Sequence, residues 1–319
     1  MFSLSDAQRL RQELPPSGLS SNDNNSLIQN YLTHYGLADL AKTYSYGMGR
    51  FHSQNFELVC QSFSVPSTSR PPSATVFILH GYFDHTGNYS HLIKHCLDLH
   101  CNVVVFDLPG HGLSSGKPAS IDSFDQYLQA FHDCIHFVEA QQLGSTKPWH
   151  LIGQSTGGAI AVDALLNSGQ SQKFDKTILL APLLRPKSWL LSKLQIKVLS
   201  LFTKSIARGF SNNSHDQNFL NFLRQEDSLQ CTRLPIAWVE AMSAYIKKTE
   251  SANSSQKQLE IIQGSDDGTV NWQHNLSKLK QLFPAANTTM IEGAKHHMAN
   301  ESPHYRDQVF ARISEIISK

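Results

Sequence analysis

Short apolar runs alternate with longer amphipathic stretches along most of the chain. From residue 74 onward, six apolar runs lie at 74–80, 102–108, 149–153, 176–181, 259–263 and 288–291. Most of them are continuous rather than alternating, which is typical of parallel strands covered on both faces. The stretches between them predict helices near 88–99, 121–143, 156–168, 235–249, 272–283 and 303–318. This alternation predicts the α/β class, with a mostly parallel, doubly wound sheet.

Three segments do not follow the strand-helix repeat. Residues 56–65 alternate in part and predict an edge hairpin, followed by a Ser/Pro-rich loop at 64–73. Residues 1–50 begin with a polar stretch and predict one helix near 25–43, while residues 184–233 interrupt the core between two strands. We therefore expect an N-terminal extension at 1–50, a core at 51–183 and 234–319, and an inserted helical cap at 184–233.

The inserted segment carries apolar residues at helical spacing with basic residues between them. The apolar positions are Leu191, Leu194, Val198, Leu201 or Phe202, and Ile206. This pattern predicts an amphipathic helix. Its apolar face either packs on the core as an ordinary surface helix or belongs to a cap that lines a substrate tunnel or makes a peripheral contact with lipid. The two readings are compatible, because a cap does both.

Composition narrows the class of partner. Charged residues make up 17% of the 319 residues and the formal net charge is +1. A nucleic-acid binder would show a basic stripe, so this class is not expected. The chain has 16 histidines, and the pairs His91/His95 and His132/His136 have the i, i+4 spacing of metal ligands. Neither pair has a supporting cysteine or carboxylate pattern, so we expect no metal.

Cysteine usage and the N-terminal sequence bear on the compartment. The five cysteines are odd in number and form no CxxC pair, which favours a reducing, cytoplasmic environment. The N-terminal sequence shows no apolar region of the kind that a secretory signal has. No apolar run approaches the roughly 18 residues that a membrane span needs. We therefore predict a cytoplasmic protein.

A GxSxG string marks a candidate nucleophile. GQSTGG at 153–158 directly follows the predicted strand at 149–153 and directly precedes a helical run. A turn this tight strains the Ser155 backbone and requires small residues at Gly153 and Gly157. It also places the serine hydroxyl at a helix N-terminus, where backbone N–H groups favour a developing negative charge. The position, rather than the string alone, indicates a nucleophile.

A serine nucleophile needs a base, and the base needs a carboxylate that orients it. Both follow later strands in the order Ser, acid, His. GSDDGTV at 264–270 offers Asp266 or Asp267, and EGAKHH at 292–297 offers His296 or His297. The carboxyl ends of parallel strands meet at one edge of the sheet, where such folds bind ligands.

The negative charge of a tetrahedral intermediate must meet preorganised donors. One donor is the backbone N–H of Thr156, and the other is expected from Tyr82 in HGYF at 80–83, where Gly81 allows close approach. The Gly-rich loop FDLPGHGLSSG at 106–116 follows another strand, and we expect it to brace the nucleophile turn.

Five motifs in this order resemble the α/β-hydrolase superfamily: HGYFDHTGNY, FDLPGHGLSSG, GQSTGG, GSDDGTV and EGAKHH. Within it they resemble the branch of monoacylglycerol lipases, bacterial lysophospholipases and serine aminopeptidases, from about residue 56 to the C-terminus. The resemblance implies the fold and a Ser155, Asp267 and His296 triad without metal or organic cofactor. It also implies an acyl ester substrate, such as a lysophospholipid or monoacylglycerol. Gln154 stands where many members carry histidine.

Two other functions stay open. A peptidase that releases N-terminal residues needs an acidic group for the substrate ammonium, and the cap offers Asp216, Glu226 and Asp227. A hydrolase-fold binding module without activity would be expected to lack triad members, and this chain lacks none. Relatives that open epoxides or remove halogens use aspartate where this chain has Ser155.

Overall fold

A computed structural model describes residues 1–19, 25–66, 70–143, 146–167, 172–189 and 199–319. Within these ranges the main sheet has eight strands in the order β1-β2-β4-β3-β5-β6-β9-β10. The strands are β1 (Ser45–Ser53), β2 (Phe56–Ser64), β3 (Ala74–Leu79), β4 (Cys101–Phe106), β5 (Trp149–Gln154), β6 (Phe174–Leu180), β9 (Glu260–Gly264) and β10 (Asn287–Ile291). A separate two-stranded ribbon pairs β7 (Ser205–Ala207) with β8 (Arg233–Pro235).

Helices connect the strands and flank the sheet. They are α1 (Leu4–Glu13), α2 (Ser26–His34), α3 (Ala38–Thr43), α4 (Ser90–Asp98), α5 (Phe124–Ala140), α6 (Thr156–Asn167), α7 (Gln217–Gln225), α8 (Ile236–Glu250), α9 (Trp272–Leu282) and α10 (Pro303–Ile317). Every predicted core strand and helix has a counterpart within about three residues of its predicted ends. Boundaries drift this far because terminal turns fray.

The sheet is parallel from β4 to β10 and antiparallel at the β1-β2 and β2-β4 pairings. Side chains of one strand point alternately to its two faces. In β3, Phe77 and Leu79 join the apolar cluster under α5, α6, α8 and α9, while Val76 and Ile78 join the cluster under α1, α2, α4 and α10. Both faces are buried, which explains why the strands read as continuous apolar runs. The doubly wound α/β prediction is confirmed.

The N-terminal segment is part of the core rather than an addition to it. The predicted boundary at residue 50 is wrong, because it cuts through β1, which pairs with β2 along its whole length. Helix α1, which the sequence reading missed, begins with a capping box between Ser3 and Asp6 and buries Leu10. The chain then crosses β1 so closely that a Cβ on Gly49 would overlap the Gly18 carbonyl oxygen. This contact requires glycine at position 49. The same glycine interrupts the sequence pattern by which β1 could have been predicted.

The inserted segment is only partly helical where it is described. Leu191, Leu194 and Val198 lie outside the described residues, and Ile206 lies in β7 rather than in a helix. The predicted helix is therefore wrong at its C-terminal end, because Ile206 pairs with Leu234 in the ribbon. Helix α7 is strongly amphipathic and buries Leu220 and Leu223.

Two findings concern compartment and membrane. All five cysteines lie in the described ranges and carry free thiols. No helix in the described part of the chain is both long and apolar enough to cross a bilayer.

Candidate active site

Ser155 occupies a strained turn between β5 and α6. Its φ is +52°, in the left-handed region that residues with a side chain rarely adopt. The turn is held by its backbone bonds: the Ser155 N–H donates to the Leu180 carbonyl at 2.9 Å, and its carbonyl accepts from Leu183 at 3.0 Å. Strain that the surrounding structure maintains in this way is typical of functional turns.

The glycines on either side of Ser155 are required by contact. A Cβ on Gly153 would lie 2.6 Å from the Gly157 carbonyl oxygen. A Cβ on Gly157 would overlap the backbone carbonyl of Leu79 in the neighbouring strand. Any side chain would therefore push the turn away from β3.

One histidine joins the serine to an aspartate. The His296 Nε2 lies 2.9 Å from the Ser155 Oγ, and its Nδ1 lies 2.8 Å from the Asp267 Oδ2. The three side chains are buried and come from the ends of β5, β9 and β10. The geometry is that of a nucleophile, a base and an orienting acid.

Asp267 is held as a carboxylate by several donors. Burial alone raises its pKa, but the contact with His296 and the backbone N–H groups of Thr269 and Val270 outweigh it, so the net pKa is lowered. Those backbone donors lie 2.8 and 3.1 Å from Oδ1, and the Gln263 amide lies 3.0 Å from Oδ2. The ionised group can therefore orient His296 at neutral pH.

The two neighbours that the sequence left open lie elsewhere. Asp266 is exposed to solvent. His297 is buried, and its Nε2 lies 3.2 Å from the Asp84 Oδ1 instead of facing Ser155. The structure thus brings Asp267 and His296, and neither neighbour, to the serine.

The loop after β3 lies against Ser155 and is tied down by Tyr89. A Cβ on Gly81 would be 3.5 Å from the Ser155 Cβ. The Gly81 N–H donates to the Tyr89 hydroxyl at 2.9 Å, and that hydroxyl donates to Asp84 at 2.9 Å. Tyr82 and Thr156 line the same cavity as Ser155. The two expected oxyanion donors therefore border the nucleophile.

His80 joins this loop to the Gly-rich loop. Its Nε2 accepts from the Leu108 N–H at 2.9 Å, so the proton lies on Nδ1, which donates to the Gly81 carbonyl at 2.8 Å. Burial lowers the pKa of His80, which keeps the ring neutral. Asp107 adds bonds to the Thr86 N–H and hydroxyl. In the described residues, the hydrogen bonds of the Gly-rich loop thus brace the loop after β3, and the prediction that it braces the nucleophile turn is corrected.

Gln154 has a role that sequence reasoning missed. Its side-chain amide donates to the backbone carbonyl of His296 at 3.0 Å. The residue before the nucleophile thereby holds the loop that carries the histidine. The signal in the sequence was that Gln154 stands where many family members carry histidine. The partner of its side chain could be identified only from the fold.

A cavity of about 260 Å³ opens beside Ser155. Its wall is largely apolar, with Leu183, Leu223, Leu234, Trp238 and Val270. The acidic, basic and histidine side chains among its described lining residues are Asp84, Arg208, His296 and His297. An apolar cavity with a few convergent polar groups is typical of a small-molecule site.

The acids suggested for an ammonium site do not line this cavity. Asp216 caps α7 by accepting from the Phe219 N–H at 3.0 Å. Glu226 is exposed, and Asp227 is buried in a contact with His85. The acid that does line the cavity is Asp84, which is already bonded to Tyr89 and His297.

Asp227 joins three parts of the chain just after α7. Its carboxylate accepts from the Tyr35 hydroxyl at 2.9 Å, the His85 Nε2 at 3.1 Å and the Asn88 amide at 3.1 Å. Burial lowers the pKa of His85, but the Asp227 carboxylate outweighs burial and raises it. His85 lies in the loop after β3, so the N-terminal segment, the inserted segment at 184–233 and the site share this contact.

Comparisons with known proteins identify the family of the chain. Residues 70–303 match the family model described as serine aminopeptidase, S33. The chain belongs to this family of α/β-hydrolases. The solved structures it resembles include a monoglyceride lipase variant from Saccharomyces cerevisiae and a monoacylglycerol lipase from Paleococcus ferrophilus. The first has a TM-score of 0.72 and 16% identity and covers 84% of this chain and 93% of its own; for the second these values are 0.67, 21%, 82% and 99%. The predicted fold class is confirmed.

Curated relatives place the chain in the lipase branch. A human monoglyceride lipase is 26% identical over 262 residues, which is 78% of this chain and 83% of that protein. A phospholipase of Bacillus subtilis is 26% identical over 263 residues, 75% and 93% of the two chains. The chain is thus an ester hydrolase of the monoglyceride-lipase-like branch, as the motifs predicted.

Proposed function

We propose that the protein cleaves carboxylic esters through an acyl-enzyme formed on Ser155. His296 removes the hydroxyl proton as the serine attacks and returns it to the leaving alcohol, and Asp267 orients the imidazole. Water then releases the acid by the same steps. The observation that carries this proposal is the position of His296, 2.9 Å from the Ser155 Oγ and 2.8 Å from the Asp267 Oδ2.

The oxyanion of each tetrahedral intermediate would be held by the backbone N–H groups of Tyr82 and Thr156. Thr156 opens α6, and the first N–H groups of a helix have no intrahelical acceptor. Tyr82 is fixed by its hydroxyl, which donates to the Ala119 carbonyl at 2.7 Å, and by its ring, which stacks on Trp238 at 3.8 Å. Both supports favour a preorganised donor.

We infer a lysolipid or monoacylglycerol as the substrate class. The relatives include a monoglyceride lipase and a phospholipase, and the cavity wall offers apolar surface for an acyl chain. We assign residues 184–233 to a cap, because Leu223 and Arg208 from this segment line the cavity. A peripheral lipid contact of the cap is supported by Leu201 and Phe202, which are 77% and 83% exposed.

The aminopeptidase alternative has the family description in its favour. It would need a free carboxylate beside Ser155, and Asp84 is the only acid among the described lining residues. Since Asp84 already accepts from Tyr89 and lies against His297, we favour the ester hydrolase. Turnover of aminoacyl-naphthylamides without turnover of acyl esters would reverse this preference.

A fluorophosphonate probe tests the proposed function directly. We expect the folded protein to be labelled at Ser155 and the Ser155→Ala variant to stay unlabelled. Ser251→Ala, on the exposed end of α8, is a matched control that keeps labelling and hydrolysis of p-nitrophenyl esters. Absence of labelling in folded protein, or equal ester turnover by Ser155→Ala, would refute the triad assignment.

A further inference from the structure

Arg208 brings a cationic side chain from the cap to the active-site cavity. It directly follows β7, and its N–H donates to the Thr232 carbonyl at 2.9 Å, which extends the ribbon by one pair. The residue lines the cavity together with Ser155 and Phe83. Its backbone is therefore fixed by pairing with the segment before β8. The ribbon holds the residue at the wall of the cavity.

The guanidinium of Arg208 makes cation–π contacts with two aromatic rings. Its Cζ lies 4.0 Å from the Phe83 ring centroid and 4.6 Å from that of Phe210. Its Nη1 donates to the Gln230 side chain and, at 3.2 Å, to the Cys231 carbonyl. Cation–π contacts and hydrogen bonds of this kind restrict the position of an arginine side chain without neutralising its charge.

The charge of Arg208 has no carboxylate partner in the described part of the chain. No acidic oxygen of those residues lies within 4.0 Å of its nitrogens, and its side-chain hydrogen bonds to them are donated by Nη1 rather than by Nε or Nη2. The acid of the same cavity, Asp84, is bonded to Tyr89 and lies against His297. An arginine stays ionised even where burial lowers its pKa, as it does here. Asp84 stabilises this charge at longer range, but no carboxylate contacts the guanidinium, so a bound anion would offset more of the cost of burying it.

We propose that Arg208 binds a phosphate or carboxylate group carried by the ester substrate, and so selects anionic over neutral esters. This inference rests on the proposed ester hydrolysis at Ser155. Two parallel N–H groups of a guanidinium match two oxygens of either anion, whereas a neutral glycerol hydroxyl offers one weaker acceptor. The phosphate of a lysophospholipid head group would supply such an anion on the alcohol side of the ester, and a carboxylate-terminated chain would supply it on the acyl side.

Paired substrates measure this selection. Lysophosphatidic acid and monoacylglycerol with the same acyl chain differ by the phosphate, and p-nitrophenyl esters with and without a terminal carboxylate test the acyl side. In one of the two substrate pairs, we expect Arg208→Gln to lower kcat/KM for the anionic ester about 10- to 100-fold. The kcat/KM for the neutral ester of the same pair should stay within about threefold. Arg208→Lys should retain part of the preference. Arg233 is an exposed cation in the same ribbon and is bonded to Ser205. Arg233→Gln is therefore the control, and it should keep the full preference for the anionic ester.

A binding measurement separates this inference from the proposed chemistry. Ser155→Ala protein should bind dodecyl phosphate at least tenfold more tightly than dodecyl glycerol ether in calorimetry, and Arg208→Gln should abolish that difference. Equal loss for charged and neutral ligands would assign Arg208 a purely structural role and overturn the inference. If Ser155→Ala binds the phosphate selectively while the parent protein hydrolyses no ester, the ester-hydrolase proposal fails and the anion site stands.

Discussion

The side-chain amide of Gln154 donates to the backbone carbonyl of His296 at 3.0 Å. The residue that precedes the nucleophile thus fixes the loop that carries the base. The two residues are 142 positions apart in the chain, and both sit at ends of parallel strands in one sheet. The distance between Ser155 and His296 therefore depends on a bond outside the three proposed catalytic side chains.

Replacing Gln154 should affect catalysis more than binding. Gln154→Leu keeps much of the side-chain volume and removes the donor, so we expect a three- to tenfold lower kcat with little change in KM. A hydrogen bond contributes about 0.5–1.5 kcal/mol, and 1.4 kcal/mol is a factor of ten in rate. Gln129→Leu, which removes a bond to Asp133 on α5, is the control. Unchanged kcat on p-nitrophenyl esters would show that the loop needs no such support.

Replacing Asp267 tests the orientation of the base. Asp267→Asn should reduce kcat by roughly 10⁴-fold, because an amide favours the wrong tautomer of His296. Asp266→Asn alters the exposed neighbour and should have little effect, and this pair of variants discriminates between the two aspartates. The pKa of Asp267 is lowered in the folded protein, so its stabilising contribution is present above the ordinary aspartate pKa of about 3.9 and is lost as the pH falls through the lowered value. In urea unfolding below about pH 5, the free energy of unfolding of Asp267→Asn should fall less on acidification than that of Asp266→Asn.

The strands and the order of the catalytic motifs could be predicted because they follow from local pattern. Continuous apolar runs mark strands buried on two faces, and each motif follows such a run. Helix α1 and strand β1 could not be predicted in this way. Their evidence lies in contacts with distant segments, such as the approach of Gly49 to the Gly18 carbonyl. Glycines in a strand pattern suggest loop until the crossing chain that requires them is known.

The partners of Asp227 could not be predicted from the sequence for a related reason. A carboxylate that accepts bonds from Tyr35, His85 and Asn88 gathers residues far apart in sequence. From sequence alone Asp227 was a candidate for binding a substrate ammonium. In the fold its carboxylate oxygens already accept hydrogen bonds from protein groups, so its charge stabilises the contact between the inserted segment and the loop after β3.

Removing the Tyr35 hydroxyl should loosen the cap without unfolding the core. Tyr35→Phe deletes one donor to Asp227, and we expect a loss of about 1 kcal/mol in the free energy of unfolding. Asp227→Ala leaves His85 without its carboxylate in a buried site and should cost about 3–5 kcal/mol. Tyr46→Phe, which removes a bond to Gln61, provides a hydroxyl control. Urea unfolding gives the energies, and faster proteolysis after α7 in Tyr35→Phe than in Tyr46→Phe would locate the change.

The His85–Asp227 contact should make stability depend on pH. The pKa of His85 is raised, so its contribution is fully present below the ordinary histidine pKa of about 6.5 and is lost as the pH rises through the raised value. The destabilisation caused by His85→Gln should therefore be larger at about pH 5.5 than at about pH 9. A pH-independent effect of His85→Gln would mean that the pair is not charged.

Adding one methyl group at Gly157 should prevent the nucleophile turn from forming. A Cβ there would overlap the Leu79 carbonyl oxygen in β3, so Gly157→Ala must displace either the turn or the strand. We expect loss of fluorophosphonate labelling and a destabilisation of more than about 3 kcal/mol, in the range of severe core overpacking. Gly268→Ala is the matched control, because a Cβ on Gly268, next to Asp267, would meet nothing within 4 Å. It should keep stability within about 0.5 kcal/mol. A Gly157→Ala protein that labels at the rate of Gly268→Ala would contradict the tight contact between the turn and β3.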